Sequence, residues 1–171
     1  MIRRLKKNDV EAYRNLRLAG LKEKPQYFGA SIKDEEKTTD KIYLDGFGIG
    51  NKIFFVLGKF VGRELVGVIG FRRFTLGNVN HKAALWGMYV TPDHRKKGYG
   101  ADLVAAYLER ARKINGLEVI QLAVESKNRF AQRLYGKYGF KRFAKEMEGL
   151  KVDGKYFDEI WMKVKITAGK K

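Results

Sequence analysis

The sequence contains no cysteine, which excludes disulfide scaffolds, thiolate metal sites and cysteine nucleophiles. Histidine is nearly absent too: His81 and His94 stand alone in polar segments, with no paired spacing to form a zinc site. No run approaches the ~18 apolar residues of a membrane-spanning helix. The longest apolar stretch, residues 53–61, is interrupted by Gly58 and Lys59. The basic start, Met1-Ile2-Arg3-Arg4, is not followed by an apolar core or a small-residue cleavage site, so a cytoplasmic chain without a leader is expected. Acidic residues are scarce: 19 Asp and Glu face 36 Lys and Arg, a net charge of +17. That balance predicts a polyanionic partner without saying which kind.

What is present is core material. Hydrophobic residues make up 44% of 171 and aromatics 13%, too much for a disordered polybasic chain and about right for one domain. A single domain over residues 1–166, with a frayed basic tail at 167–171, is the expectation. Ala12, Leu16, Ala19 and Gly20 share one face of a first helix ending before Pro25. Residues 26–31 read as loop, residues 33–44 as a weaker helix and residues 46–51 as a flexible glycine-rich break. Two β-rich runs joined at Gly62-Arg63 predict a hairpin, and a third strand ends at Thr91-Pro92. Leu103, Val104, Tyr107, Leu108 and Ala111 mark a helix over residues 100–114. Residues 119–124 read as an apolar strand, and Phe130, Ala131, Leu134, Tyr135 and Tyr138 mark another helix. Residues 140–147 and 156–166 read as a closing pair of strands. The order is β-α-(α)-β-β-β-α-β-α-β-β.

The densest chemistry lies in Thr91-Pro92-Asp93-His94-Arg95-Lys96-Lys97-Gly98-Tyr99-Gly100-Ala101. A strand ends, a basic loop follows, two glycines stand two apart, and an amphipathic helix begins. Glycines let backbone N–H groups close on an anion, and a helix start supplies unpaired donors and a favourable dipole. Arg95, Lys96 and Lys97 add full charges, so the segment describes a pyrophosphate cradle. A plain turn with solvated lysines is the competing reading. It is not a Walker loop, because Ala101-Asp102 follows the last glycine, nor a dinucleotide fingerprint, because Leu103 replaces the third.

Arg95-x-x-Gly98-x-Gly100 resembles the acyl-CoA signature of the GNAT superfamily of N-acetyltransferases. Asn128-x-x-Ala131-x-x-Leu134-Tyr135-x-Lys137-x-Gly139-Phe140, after a strand, is similar to that family's second cofactor segment. The resemblance implies an α+β fold whose mostly antiparallel mixed sheet splays between its fourth and fifth strands and is flanked by helices. It implies acetyl-CoA as co-substrate, with pantetheine along Met88, Tyr89 and Val90 and pyrophosphate over Arg95, Lys96, Lys97, Gly98, Tyr99, Gly100 and Ala101. It further implies cofactor contacts from Asn128, Tyr135 and Lys137, with Tyr135 protonating the departing thiolate. Read as residues alone, Tyr135 also suits a packed core and Asn128 a helix cap.

The strand before the loop carries no carboxylate, so the general base is left among Glu125, Glu35, Glu36 and a water relay; Glu125 is the one we carry forward. Acids of the last hairpin (Glu146, Glu148, Asp153, Asp158 and Glu159) suit either an amine-attracting face or a solvated one, and Tyr27, Phe28 and Trp86 either an acceptor pocket or core. The expected activity is acetyl transfer to a primary amine, of a small molecule or of a protein N-terminus or lysine, by direct attack in a ternary complex. No metal and no membrane partner are expected; a homodimer is left open. The alternatives are a basic nucleic-acid- or ribosome-binding module on the same fold and a catalytically silent CoA-binding subunit.

Overall fold

A computed structural model describes residues 1–49 and 53–166. The expected tail at 167–171 and part of the expected break at 46–51 lie outside them. Seven strands form one sheet in the order β1-β2-β3-β4-β5-β7-β6: β1 (Ile2–Arg4), β2 (Phe54–Val61), β3 (Glu64–Arg73), β4 (Lys82–Val90), β5 (Val119–Glu125), β6 (Lys141–Val152) and β7 (Lys155–Lys165). Every pairing is antiparallel except β4 with β5. That parallel ladder holds only Lys82↔Val119, Ala83↔Ile120 and Ala84↔Gln121; beyond Ala84 the two strands no longer pair. The α+β mixed sheet, splayed between its fourth and fifth strands, is the expected one.

Among the described residues five α-helices cover the sheet: α1 (Val10–Glu23), α2 (Ile32–Glu36), α3 (Asp40–Phe47), α4 (Tyr99–Arg112) and α5 (Arg129–Lys137). One core lies beneath α4 and α5 and holds Phe71, Leu85, Leu103, Tyr107, Leu122, Tyr135 and Ile160. The other lies beneath α1 and α3 and holds Tyr13, Leu16, Tyr43, Phe47, Val68 and Tyr89. The sheet is therefore apolar on both faces, as the runs in β2 and β3 require.

Four sequence readings shift. On α1 the buried face is Val10, Tyr13, Leu16, Arg17, Gly20 and Leu21, whereas Ala12 and Ala19 are exposed. The apolar pattern misled because Arg17 is a buried member of that face. The single helix expected over 33–44 is two. Ser31 and Asp34 close a capping box that starts α2, the hydroxyl of Thr38 donates to the Asp34 carbonyl, and a fresh helix begins at Asp40. The sixth strand continues past Met147 to Val152, carried through a register shift with Glu148 at φ 55°. Residues 25–27, expected at the edge of a loop, form a 3-10 turn.

Candidate active site

Strand β4 delivers the chain to the site, and one glycine sets its phase. Gly87 has φ 61°, and the pairing slips from Val68↔Tyr89 to Gly70↔Trp86, so two residues of β4 oppose Ile69. This is a glycine bulge, a device that re-aims side chains. Met88 and Val90 consequently face the core under α4, and Tyr89 faces that under α1. Beyond the bulge the Thr91 N–H donates to the Val66 carbonyl at 2.9 Å. Successive strand N–H groups alternate in direction, so the Val90 N–H and C=O turn to the opposite edge, where β5 has left the ladder. The Arg95 Nε–H takes that Val90 carbonyl at 2.9 Å.

The loop after β4 presents a row of unclaimed backbone donors. Among the described residues, the N–H groups of residues 96–101 donate to no backbone carbonyl. Lys96 (φ 60°) and Gly98 (φ 80°) adopt left-handed conformations that fold these donors over the start of α4. A Cβ on Gly100 would approach Met88 Cε at 3.2 Å and Leu134 Cδ2 at 3.4 Å, so the glycine keeps the first helical turn against β4 and α5. Two outer residues fix that turn. Lys59 of β2 pairs with Asp102 at 2.7 Å and lies 4.3 Å from the Tyr99 ring centre, and the Tyr138 hydroxyl donates to the Ala101 carbonyl at 2.8 Å. Lys96 and Lys97 are exposed.

Arg95 is exposed but engaged at all three of its nitrogens. Its two terminal nitrogens donate to Glu23 at 2.7 and 2.6 Å, and the Tyr89 hydroxyl donates to the same carboxylate at 2.8 Å. The Arg95 bond, more than the opposing burial, holds the Glu23 carboxyl below its ordinary value. The loop is thereby buttressed against the end of α1, leaving the backbone donors and lysines to face solvent.

Tyr135 lies on the inner face of α5 and is 6% exposed; its hydroxyl donates to the Met88 sulfur at 3.3 Å. Burial pushes this phenol far above its ordinary value, so it holds its proton across the neutral range. Asn128 caps α5, its side-chain oxygen accepting from Ala131 N–H at 3.1 Å. Lys137 is exposed on the last turn of α5. The structure thus gathers Met88, Gly100, Ala101 and Tyr135 around the open edge of β4, with Lys137 at the periphery.

Glu125 ends β5 and is 5% exposed, its Oε1 accepting from the Lys127 N–H at 2.9 Å. It alternates with Val124, which packs under α4, and so faces the other side of the sheet from Tyr135. In register it stands beside Glu159, and Glu159 beside Glu146, giving three carboxylates in one rung. Burial first, and then Glu146, raises the Glu159 carboxyl above its ordinary value. Burial first, and then the Glu125 charge, raises the Tyr27 phenol, which sets the turn at residues 25–27 over this rung. Asp158 instead pairs with Lys145 at 2.7 Å, and Asp153 lies in the turn before β7.

Glu35, the other expected base, is fully engaged. It accepts from Arg17 at 3.1 and 2.8 Å and from the Tyr43 hydroxyl at 2.9 Å, at the edge of a 200 Å³ cavity that also touches Trp86. Glu36 is exposed on α2. Sequence reasoning missed Glu23, Arg17, Tyr138 and Tyr107, whose hydroxyl donates at 3.3 Å to the carbonyl of Ala84, the last paired residue before the splay. A tyrosine on an apolar stripe was the available signal for Tyr107 and Tyr138, because a buried hydroxyl needs a partner. Among the described residues, no group of three or more His, Asp or Glu side chains is arranged to hold a metal, and no helix is long and apolar enough to cross a membrane.

Comparison with known proteins agrees with this geometry. A family model described as the acetyltransferase (GNAT) family matches residues 18–140. Among solved structures, a GNAT-family acetyltransferase from Streptococcus pneumoniae superposes with a TM-score of 0.83 at 20% identity, covering 97% of this chain and 99% of that one. A ribosomal-protein-alanine N-acetyltransferase from Brucella melitensis gives 0.84 at 20% identity, covering 97% and 99%. A Salmonella typhimurium protein solved with its cofactor acetyl-CoA gives 0.83 at 19% identity, covering 98% and 94%. A search of curated proteins finds no match.

Proposed function

Since the chain belongs to the GNAT acetyltransferase family, we propose that it is an acetyl-CoA-dependent N-acetyltransferase, moving the acetyl group to a primary amine by direct attack in a ternary complex. The observation that carries this reading is the set of N–H groups at residues 96–101, unclaimed by any backbone acceptor among the described residues and adjoining the open edge of β4. Such a nest suits a pyrophosphate, and the free strand edge suits an amide-bearing arm. Acetyl-CoA bound there supplies an acetyl group activated as a thioester.

The chain's own residues divide the remaining work. Residues 96–101 bind phosphate through backbone donors, with Lys96 and Lys97 adding charge. Met88, Tyr89 and Val90 offer the strand edge, and the Val90 N–H is the donor for the acyl oxygen. A fixed donor of this kind is worth ~3–4 kcal/mol in related chemistry. Asn128 holds the start of α5, and that helix places the Tyr135 phenol beside Met88. Tyr135 keeps its proton on the phenol oxygen and is assigned the role of acid toward the leaving sulfur. Lys137 adds a peripheral charge. An acceptor ammonium, near pKa ~10.4, must lose a proton before it attacks. Glu125 is assigned that proton, being a carboxylate on the opposite side of the sheet from the acid. With no cysteine in the chain, direct transfer is the route.

The test is acetyl-CoA thermal stabilisation at modest salt, followed by thiol release across a panel of polyamines, amino acids, aminoglycosides and peptide N-termini. Stabilisation with turnover on at least one amine class is the expected result. No stabilisation and no turnover on any class would overturn the reading, and tight RNA binding in that setting would favour a binding module.

A further inference from the structure

The cofactor cradle uses only part of the chain's positive charge, and a second concentration lies at the other end of α4. A cavity of about 610 Å³ is lined by Arg4 of β1, Phe55 of β2, Arg73 of β3 and Glu109, Arg110 and Lys113 at the end of α4. Among the described residues, four cations meet one carboxylate there. The 14 residues of α4 span roughly 21 Å at ~1.5 Å each, which separates this cavity from the loop at Gly98.

Two features distinguish the cavity from a solvated basic surface. First, Arg73 is held by neutral acceptors, and Arg4 also reaches backbone carbonyls. Arg73 donates to the Asn80 carbonyl at 2.6 Å and the Asn115 carbonyl at 3.0 Å, and Arg4 donates to the carbonyls of Gly48 and Phe54 at 3.1 and 2.7 Å. For Arg73, carbonyl oxygens hold the guanidinium in place without cancelling its charge. Lys113 pairs with Glu109 at 2.7 Å, but among the described residues Arg73 and Arg110 have no carboxylate partner. Second, the cations come from three separate elements. Complementing the dipole at the end of α4 accounts for Arg110 and Lys113. It does not account for arginines delivered to the same cavity by β1 and β3. Burial, and then the Arg110 charge, lowers the Arg4 guanidinium, as crowding of like charges requires.

We propose that this cavity is a second anion site, separate from the cofactor loop, that takes a compact di- or triphosphate group. Fixed guanidinium forks match phosphate oxygens, and several cations converging on one volume match a ligand that concentrates charge on adjacent phosphorus centres. The volume falls within the range of small-ligand pockets. A nucleotide and inorganic polyphosphate share this chemistry, and the test separates them.

The full-length protein is first saturated with CoA to occupy the loop. Inorganic tripolyphosphate and ATP are then titrated calorimetrically at low salt. The expected result is one further site for tripolyphosphate. ATP binding equal to it identifies the phosphate chain as the whole determinant, and tighter ATP binding adds a nucleoside contribution; both support the site. Arg110→Gln, an exposed change on α4, should weaken binding tenfold or more while leaving acetyl-CoA affinity unchanged. Arg73→Gln should weaken it similarly, with circular dichroism confirming the fold. Loss of the second site on CoA saturation, unchanged affinity in Arg110→Gln, or equal binding of a poly-glutamate peptide would each overturn the proposal.

Discussion

Tyr135 occupies a position where packing and the proposed acid role coincide. Its ring contributes to the core under α4 and α5, and its hydroxyl reaches the sulfur of Met88. Removing the hydroxyl alone separates the roles: Tyr135→Phe should cut kcat by ~10² or more, the usual weight of a general acid, with acetyl-CoA affinity within about twofold. Equal turnover of the two proteins would take the acid role away from it. Because burial keeps the phenol protonated, no fall in kcat up to about pH 9 should be attributable to Tyr135. Arg17 and Glu35 show the opposite economy, two charges buried together and fixed by Tyr43. Breaking such a pair from one side strands the other charge, so Glu35→Ala should cost ~3–5 kcal/mol, read as a lowered urea midpoint. Tyr135 was legible in the sequence because a motif surrounds it. The ion pair was not, because charged residues on a helix read as its solvated face, and their partnership spans 18 positions that only the tertiary fold closes.

The elements were legible wherever apolar periodicity was strong, as in α4, and wherever glycine marked a turn, as in the β2–β3 hairpin. Phase was harder to read. The face of α1 was displaced by one position because a buried arginine does not look apolar, and the α2–α3 break depended on side-chain caps within a polar stretch. One glycine matters for a reason composition conceals. A Cβ on Gly70 of β3 would lie 2.4–2.7 Å from ring atoms of Trp86 on β4. Gly70→Ala should therefore destabilise the protein by ~1–3 kcal/mol through overpacking. Adding Trp86→Leu should restore much of the loss in a chemical-denaturation series, and full additivity of the two changes would disprove the contact as the cause. At the loop, Gly98 has open space around its Cα but a left-handed backbone. Gly98→Val should raise the acetyl-CoA KM by an order of magnitude while lowering stability by only ~1–2 kcal/mol.

For the whole molecule, charge sets both solubility and acid response. Asp9 is held below its ordinary 3.8 chiefly by the Arg3 hydrogen bond, and Glu23 below 4.5 by that of Arg95. Carboxyls depressed in the folded state favour folding above their unfolded values and lose that contribution as pH falls through the folded ones. Urea midpoints should therefore hold steady from pH 7 to about 5 and drop below about pH 4, with Glu23→Gln flattening part of the fall. Glu159, raised by burial and Glu146, acts in the reverse direction, contributing at low pH and losing its contribution as pH rises through its folded value. The charge excess was plain from composition, but its division between the loop and the far end of α4 required the fold. The extra residue in β4 works as a reading-frame shift in the sheet. Upstream of it, Ala83 and Leu85 address the α4 side in one frame; downstream, Met88 and Val90 address it in the other. Deleting Gly87 would remove the extra position and leave Met88 toward α4 and Tyr89 toward α1, whereas flattening the bulge with Gly87 kept would exchange the two. The inserted position thus absorbs one residue of strand length while each core keeps its own side chains, so the two ends of one strand can be read in opposite parity without either turning over.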